Sequence, residues 1–462
     1  MRDLLRTIVA DAPQWLELRA HERRTLSVLV RKGVVEAASF STVSGVGARA
    51  LVDGTWGFSS AASFEREGVL SAARDAVVAA ERSSAGRSSK VARLAPCALA
   101  VGDFRSGDAA DLARHTAEEK TALAVATEAR IRASSPLIRS ATVRYQEILD
   151  TKWIVSTDGA DAHIEDSKAE FLAAAVAARD DDMTTAYMGT GVTGGFRDLF
   201  AKESAEVLAE RAAKVSVDLL SAPYAPAGPA TVVLDPKLVG LLAHEAVGHT
   251  VEADFVLAGS AASGRIGQKV ASDLITLVDS GPALIGPASA GGIVLVDDEG
   301  VPTGRTVIID RGVLTSYLHD RESAAIFDVP PTGNARAWQF DDEPLIRMRN
   351  TYIEPGDASL EEMLGGIGSG LLLRGGGSGQ ADSNAEFMFG VQEAYEIRDG
   401  RVGRLMRGAT ISGDAFDVLR SVDMLTAEFE WGVGGGSCGK GQPAKVDGGG
   451  PHVRCRVMVG GR

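Results

Sequence analysis

His244, Glu245 and His249, in the stretch LLAHEAVGHTVEADF (residues 241–255), are the residues of this chain whose types and spacing most directly suggest chemistry. Neutral imidazoles suit a zinc ion, and a carboxylate beside one of them can take a proton from a metal-bound water. The spacing raises a difficulty. In an α-helix residues four apart lie about 40° apart around the axis, whereas residues five apart lie about 140° apart. For His244 and His249 to share one ion, the helix must bend or widen between them. Gly248 weakens regular helix directly before the second histidine, which permits a π-type widening or an early helix end. The spacing alone leaves an ordinary helix, with its histidines on different sides, as the alternative.

A catalytic zinc takes three protein ligands and keeps one position open. Glu252 and Asp254 are nearby candidates for the third, but either could equally be a solvated or capping carboxylate. Cys438, in GVGGGSCGKGQP, is the stronger one: flexible glycine backbone lets a thiolate approach a metal closely, and Lys440 is expected to favour its ionised form. The same segment offers a rival reading, because Gly434 to Lys440 matches the first part of a phosphate-binding loop. Gly441 then stands where Ser or Thr should hold magnesium, and Pro443 interrupts the helix that should follow. Cys455 shares a strand face with Val453 and Val457 and reads as core, and Cys97 also reads as structural. His319 and Arg321 border a site or pair at the surface, and Asp180, Asp181 and Asp182 read as a solvated turn. His21, His115 and His163 show no partner pattern.

The elements that must position these residues fall into two halves of a chain of 462 residues. Residues 1–24 read as an amphipathic helix followed by a strand, without the apolar run of a secretory signal. TLSVLVRKGVVEAASF and GARALVDGTWGFSS alternate as antiparallel strands, and a helix follows over FEREGVLSAARDAVVAAERS. SSAGRSSK reads as a loop, residues 108–133 as one long helix, and TVRYQEILDTKWIVSTDG as a strand ending in a turn. A further helix precedes the proline-rich SAPYAPAGPA, which marks the boundary. The expectation is an α+β N-terminal domain over residues 1–222, a linker over 223–230 and a β-rich C-terminal domain over 231–462. In the latter, TVVLD leads into the histidine-bearing helix, and GGIVLVDD, GRTVIIDRGVLTSYLHD, AEFMFGVQEAYEIRDGRVGRL and HVRCRVMVGG read as strands of a large curved antiparallel or barrel-like sheet.

A net charge of -14 with scattered basic residues argues against a nucleic-acid partner, and no run is apolar enough to span a membrane. The chain is expected to be cytoplasmic, and its three distant cysteines fit reduced thiols or a metal ligand.

In combination and order, GVGARALVDGTWGFSS, HEAVGHTVEADF, SYLHDRES, GNARAW, IRMRNTYIEPGD, GSCGKGQP and GGGPHVRCRV resemble the TldD/PmbA (modulator of DNA gyrase) metallopeptidases, specifically the TldD-type subunit. The five-residue histidine spacing is itself that family's pattern. The resemblance implies that His244, His249 and Cys438 ligate Zn2+ and that Glu245 is the general base. It also implies a protease for flexible or unfolded peptides, working with a PmbA/TldE-like partner subunit or as a homodimer. A non-catalytic assembly or peptide-binding subunit is the alternative within the same family.

Overall fold

The computed structural model describes residues 1–461 except 85, 87–89, 92, 288 and 433–435, and only the backbone of Ser378. Half of the loop expected over 83–90, and Gly434 and Gly435 of the glycine-rich segment, therefore lie outside the described residues. The fold is mixed: a long-stranded sheet with helices in the first half, then a closed barrel and a second sheet.

Alternation in the first half builds a seven-stranded sheet. Its order is Thr55–Ala61, Val34–Val52, Trp15–Arg31, Ile138–Ser156 and Asp161–Arg179. The outer edge of Asp161–Arg179 is shared in succession by Val101–Ser106, which pairs parallel, and Asp182–Thr193, which pairs antiparallel. Helices Ala117–Ala133 and Ala205–Ser221 cover one face. Val28, Val143, Tyr145, Phe171, Leu208 and Leu219 share that core. The expected long helix over 108–133 is instead two helices, Ala109–Ala113 and Ala117–Ala133. Thr116 breaks it: its hydroxyl accepts from Glu119 N at 3.2 Å, while the Glu119 carboxylate accepts from Thr116 N at 2.8 Å. That reciprocal cap satisfies the first free amides of a new helix.

In the second half, Gly228–Leu234, Val453–Gly460, Thr410–Asp414, Glu386–Arg398 and Ser369–Ala381 pair in that order, and the last pairs back to the first. This five-stranded closed barrel bears out the curved, barrel-like expectation. Its first strand already begins at Gly228, inside the proline-rich stretch. Cys455 is buried there with Val453, Val457 and Val459. A six-stranded sheet stands beside the barrel, with Leu277–Ser280, Asn350–Ile353 and Asp447–Gly450 at its centre. The helix that starts at Pro236 runs through the apolar core of this half, among Val232, Leu373, Phe389 and Ile411.

GGIVLVDD is not a strand. Ile293 and Val296 are buried, and its first three amides are satisfied by side chains rather than by a ladder: Gly291 N by Asp447, Gly292 N by Asn350, Ile293 N by Thr193. The Asp297–Glu299 stretch that follows joins the halves by ion pairs, Lys152 to Asp298 at 2.6 Å and Arg49 to Glu299 at 3.0 Å. Arg321 adds a third, to Asp158 at 2.6 Å. No described helix is long and apolar enough to cross a membrane.

Burial opposes the charge of Asp298, yet Lys152 and Arg19 outweigh it and hold its pKa at about 2. A depressed carboxylate pKa contributes stability that is fully present above the unfolded value of 3.8 and is lost as pH falls towards 2. Asp298→Ala would remove the carboxylate facing the buried Arg19 and the half-buried Lys152. The expected cost is about 3–5 kcal/mol of unfolding free energy, read from the denaturant midpoint at constant m-value.

Candidate metal centre

Asp235 starts the histidine-bearing helix. Its carboxylate accepts from Leu238 N at 2.9 Å, and Pro236 occupies the first turn, where no amide hydrogen is needed. After the α-helical turn Pro236–Leu241 the chain widens into a π-helix over Leu242–Gly248, then tightens into a 3-10 turn over His249–Val251. Bonding from residue i to i+5 stacks positions five apart, so the widening puts His244 and His249 on one side. Their rings stand edge to face with centroids 5.4 Å apart. Gly248 has a second reason to be glycine, because a Cβ there would lie 2.0 Å from the Met348 sulfur.

Cys438 arrives from the hairpin of Ser437–Lys440 and Gln442–Lys445, turning at Gly441 with a φ of 73°. Arg347, itself buried, donates to the carbonyls of Cys438 at 2.6 Å and Gln442 at 2.7 Å. The ligand atoms of His244, His249 and Cys438 all lie within 4.8 Å of one another, and Cys438 Sγ is 3.1 Å from His249 Nε2. The structure thus brings together the three residues that the sequence singled out.

Two observations fit this cluster to a cation. His244 is buried, and neither ring nitrogen has a hydrogen-bond partner among the described residues. A buried nitrogen left so costs about 1–3 kcal/mol unless something binds it. Burial first, then His249 and Arg347, push the His244 pKa well below its ordinary value, so the ring is neutral and keeps a lone pair to donate. His249 shows the complementary effect. Burial works against its charge, but Cys438 and Glu252 prevail and raise its pKa to about 10. Its Nε2 position thus favours a positive partner, whether proton or metal. Two imidazoles and a thiolate form a donor set suited to zinc.

Glu245 is half-buried, with a carboxylate oxygen 3.6 Å from His249 Nε2. Burial raises its pKa, the nearby Glu252 raises it further, and His249 lowers it. Glu252 is a carboxylate whose role the sequence left open. It is fully buried, and its Oε2 accepts from His249 Nδ1 at 3.0 Å, which fixes the ring so that Nε2 faces the cluster. Its spacing, three residues after His249, was the available signal. Asp254 lies outside the cluster and pairs with Lys440 at 2.6 Å.

The Lys440 ammonium contacts Glu252, Asp254 and the Ile346 carbonyl. With that lysine engaged and Pro443 on the return strand of a hairpin, the phosphate-loop reading fails. His319 and Arg321 are both buried rather than paired at the surface. Burial lowers the His319 pKa to about 4, and the neighbouring Leu318 exchanges backbone hydrogen bonds with Val251 and Ala253 beside the histidine turn. His21, His115 and His163 belong to the first half, where they contact Asp150, Phe196 and Trp153 respectively. A cavity of about 740 Å³ opens between the halves, lined among others by Tyr187, Leu241, Arg374, Trp431 and Gly436. Leu241 is four residues before Glu245, and Gly436 two before Cys438.

Three family models match successive parts of the chain: PmbA/TldA metallopeptidase domain 1 at residues 16–80, the central domain at 110–220 and the C-terminal domain at 227–461. A metalloprotease of Methanothermobacter thermautotrophicus is 33% identical over 456 residues, 98% of this chain and 97% of that protein. A zinc metalloprotease TldD homolog of Saccharolobus solfataricus is 34% identical over 71% of this chain and 72% of its own length. In fold, the chain matches a putative modulator of DNA gyrase from Thermotoga maritima with a TM-score of 0.80, at 20% identity and 99% coverage of both chains. It matches TldE from Thermococcus kodakarensis with a TM-score of 0.78, at 19% identity, covering 100% of this chain and 99% of that one.

The Met348 contact makes the widened turn testable. Gly248→Ala is expected to lower the unfolding free energy by about 1–3 kcal/mol through overpacking, and Met348→Ala in the same chain to recover part of that loss in the denaturant midpoint.

Proposed function

This chain belongs to the PmbA/TldD metallopeptidase family, and we propose that it is a zinc-dependent peptidase of the TldD type. His244, His249 and Cys438 hold the metal, and Glu245 is the general base. The observation that carries this reading is the neutral, buried His244 with both ring nitrogens unpartnered, facing a second imidazole and a thiol.

When bound, zinc supplies a Lewis acid that polarises a peptide carbonyl and makes water acidic enough to lose a proton near neutral pH. The protein residues do the rest. Glu245, with a pKa raised by burial, accepts the proton of the attacking water and passes it to the departing amine nitrogen. Glu252 holds His249 in one orientation and so keeps its Nε2 directed at the cluster. Cys438 completes the set of three and leaves a fourth position for the reacting groups.

The substrates are flexible or unfolded peptides. An extended chain offers free backbone donors and acceptors, whereas a folded one has already paired them. The cavity between the halves, walled by residues close in sequence to Glu245 and Cys438, supports an approach for such a chain from that side. We further propose that residues 1–222 and 231–462 act as two domains joined at 223–230, that the enzyme is cytoplasmic, and that it works as a dimer, either with a PmbA/TldE-like subunit or with itself.

Metal analysis and a peptide-cleavage assay test the reading together. The purified chain is expected to carry about one zinc, and Cys438→Ala to lose it. Glu245→Gln should retain the metal while cleavage of an unstructured peptide falls by roughly 100-fold or more. Full cleavage by Glu245→Gln would remove Glu245 as the base, and undiminished zinc in Cys438→Ala would remove the sulfur as a ligand.

A further inference from the structure

The sulfur of the cluster is delivered by the strand Ser437–Lys440, in which Cys438 is the one buried residue. Gly436, Gly439 and Gly441 surround Cys438, and a Cβ on Gly439 or Gly441 would meet nothing within 4 Å. Glycine contributes no side-chain contacts there, so the placement of the strand falls to its hydrogen bonds and ion pairs. Arg347 holds the hairpin from behind by its carbonyls. On the side facing the histidines, the next contact along the strand is Lys440.

In a strand, residues two apart face the same way, so Cys438 and Lys440 point together. In a 3-10 turn, residues three apart eclipse, so His249 and Glu252 also point together. The strand and the turn consequently meet through two rungs of equal length. Cys438 Sγ lies 3.1 Å from His249 Nε2, and Lys440 Nζ lies 3.1 Å from Glu252 Oε2. The second rung is tied to the first, because that same Oε2 accepts from His249 Nδ1. Three more contacts fix the ammonium: Asp254, the Ile346 carbonyl at 3.0 Å, and the Phe255 ring, whose centroid is 4.3 Å away. Among the described residues, the Glu252 carboxylate has no hydrogen-bond partners besides His249 and Lys440, and its Oε1 has none.

We infer that Lys440 is a positioning residue: it clamps the strand bearing Cys438 onto the turn bearing His249 and thereby sets the affinity of the cluster for its metal. The inference rests on the proposed assignment of His244, His249 and Cys438 as zinc ligands. Lys440 acts through Glu252 and through its own strand, without touching the ion or the substrate. Outer partners of this kind commonly change metal affinity by about 10–100-fold when removed.

Zinc affinity of the full chain, measured by competition with a chromophoric chelator, decides the matter. Lys440→Met is expected to weaken binding about 10–100-fold, with Lys440→Arg recovering most of the loss because a guanidinium can still bridge the two carboxylates. In a Glu252→Met background, where all three proposed ligands remain, the Lys440→Met change should matter by no more than roughly twofold, since the carboxylate through which it acts is gone. A merely structural lysine would cost as much in either background, and that outcome overturns the inference. So does undiminished affinity in Lys440→Met while Cys438→Ala loses the metal. Undiminished affinity in both variants instead overturns the ligand assignment. If Lys440→Met does not fold by circular dichroism, Asp254→Asn removes one anchor of the ammonium from a partly exposed position. A several-fold loss of affinity is expected there, and an unchanged value overturns the clamp.

Discussion

The site depends on one turn of backbone that must hold five residues where an α-helix holds four. Widening a helix by one residue displaces its hydrogen bonds, and the freed groups must find partners in a core that excludes water. They do so locally. Thr250 Oγ1 donates to the Val247 carbonyl at 2.7 Å, Ser260 Oγ donates to the Thr250 carbonyl at 2.6 Å, and Leu318 N donates to the Val251 carbonyl at 2.9 Å. The widened turn is therefore set by its surroundings as much as by its own sequence. Gly248 is the clearest sign, because it fits only where the Met348 sulfur already stands.

Electrostatics and burial divide the labour within that turn. His244 is enclosed deeply enough to stay neutral, which suits an imidazole that must offer a lone pair. His249 sits between a thiol and a carboxylate that both favour positive charge on its side, which suits a position that must attract a cation. Glu245, the least buried of the group, keeps a raised pKa and a route to solvent, as a group that exchanges protons must. Three neighbouring side chains on one turn thus take different chemical characters from their depth and their charged neighbours together.

Much of this was legible in the sequence, and the exceptions share a cause. The paired histidines, the glycine that permits widening and the distant cysteine were readable because ligand chemistry restricts residue type and local spacing. Cys455 was readable as core from its alternation with Val453 and Val457. GGIVLVDD was misread because apolar alternation reports burial and not what satisfies the backbone. Here side chains of Asp447, Asn350 and Thr193 replaced the neighbouring strand. The helix over 108–133 was overextended because helical periodicity outweighed the T-x-x-E cap at Thr116. The contact of Lys440 with Glu252 was not legible, because nearness in sequence to Cys438 says nothing about a carboxylate 188 residues away.

That separation also orders the assembly of the site. Cys438 and His249 are 189 residues apart, and the cysteine hairpin leads directly into Asp447–Gly450, which pairs parallel with Asn350–Ile353 in the six-stranded sheet. Parallel pairing requires a long crossover, so its contacts form only after distant parts of the chain have met. Asp447 then locks the strand, accepting from Gly291 N at 2.8 Å and donating its own amide to the Arg349 carbonyl at 2.9 Å. The sulfur reaches the histidines only once this sheet and the contact between the halves exist. A three-residue donor set spread in this way cannot be assembled by the local helix alone; its geometry depends on the hairpin and the sheet of the second half.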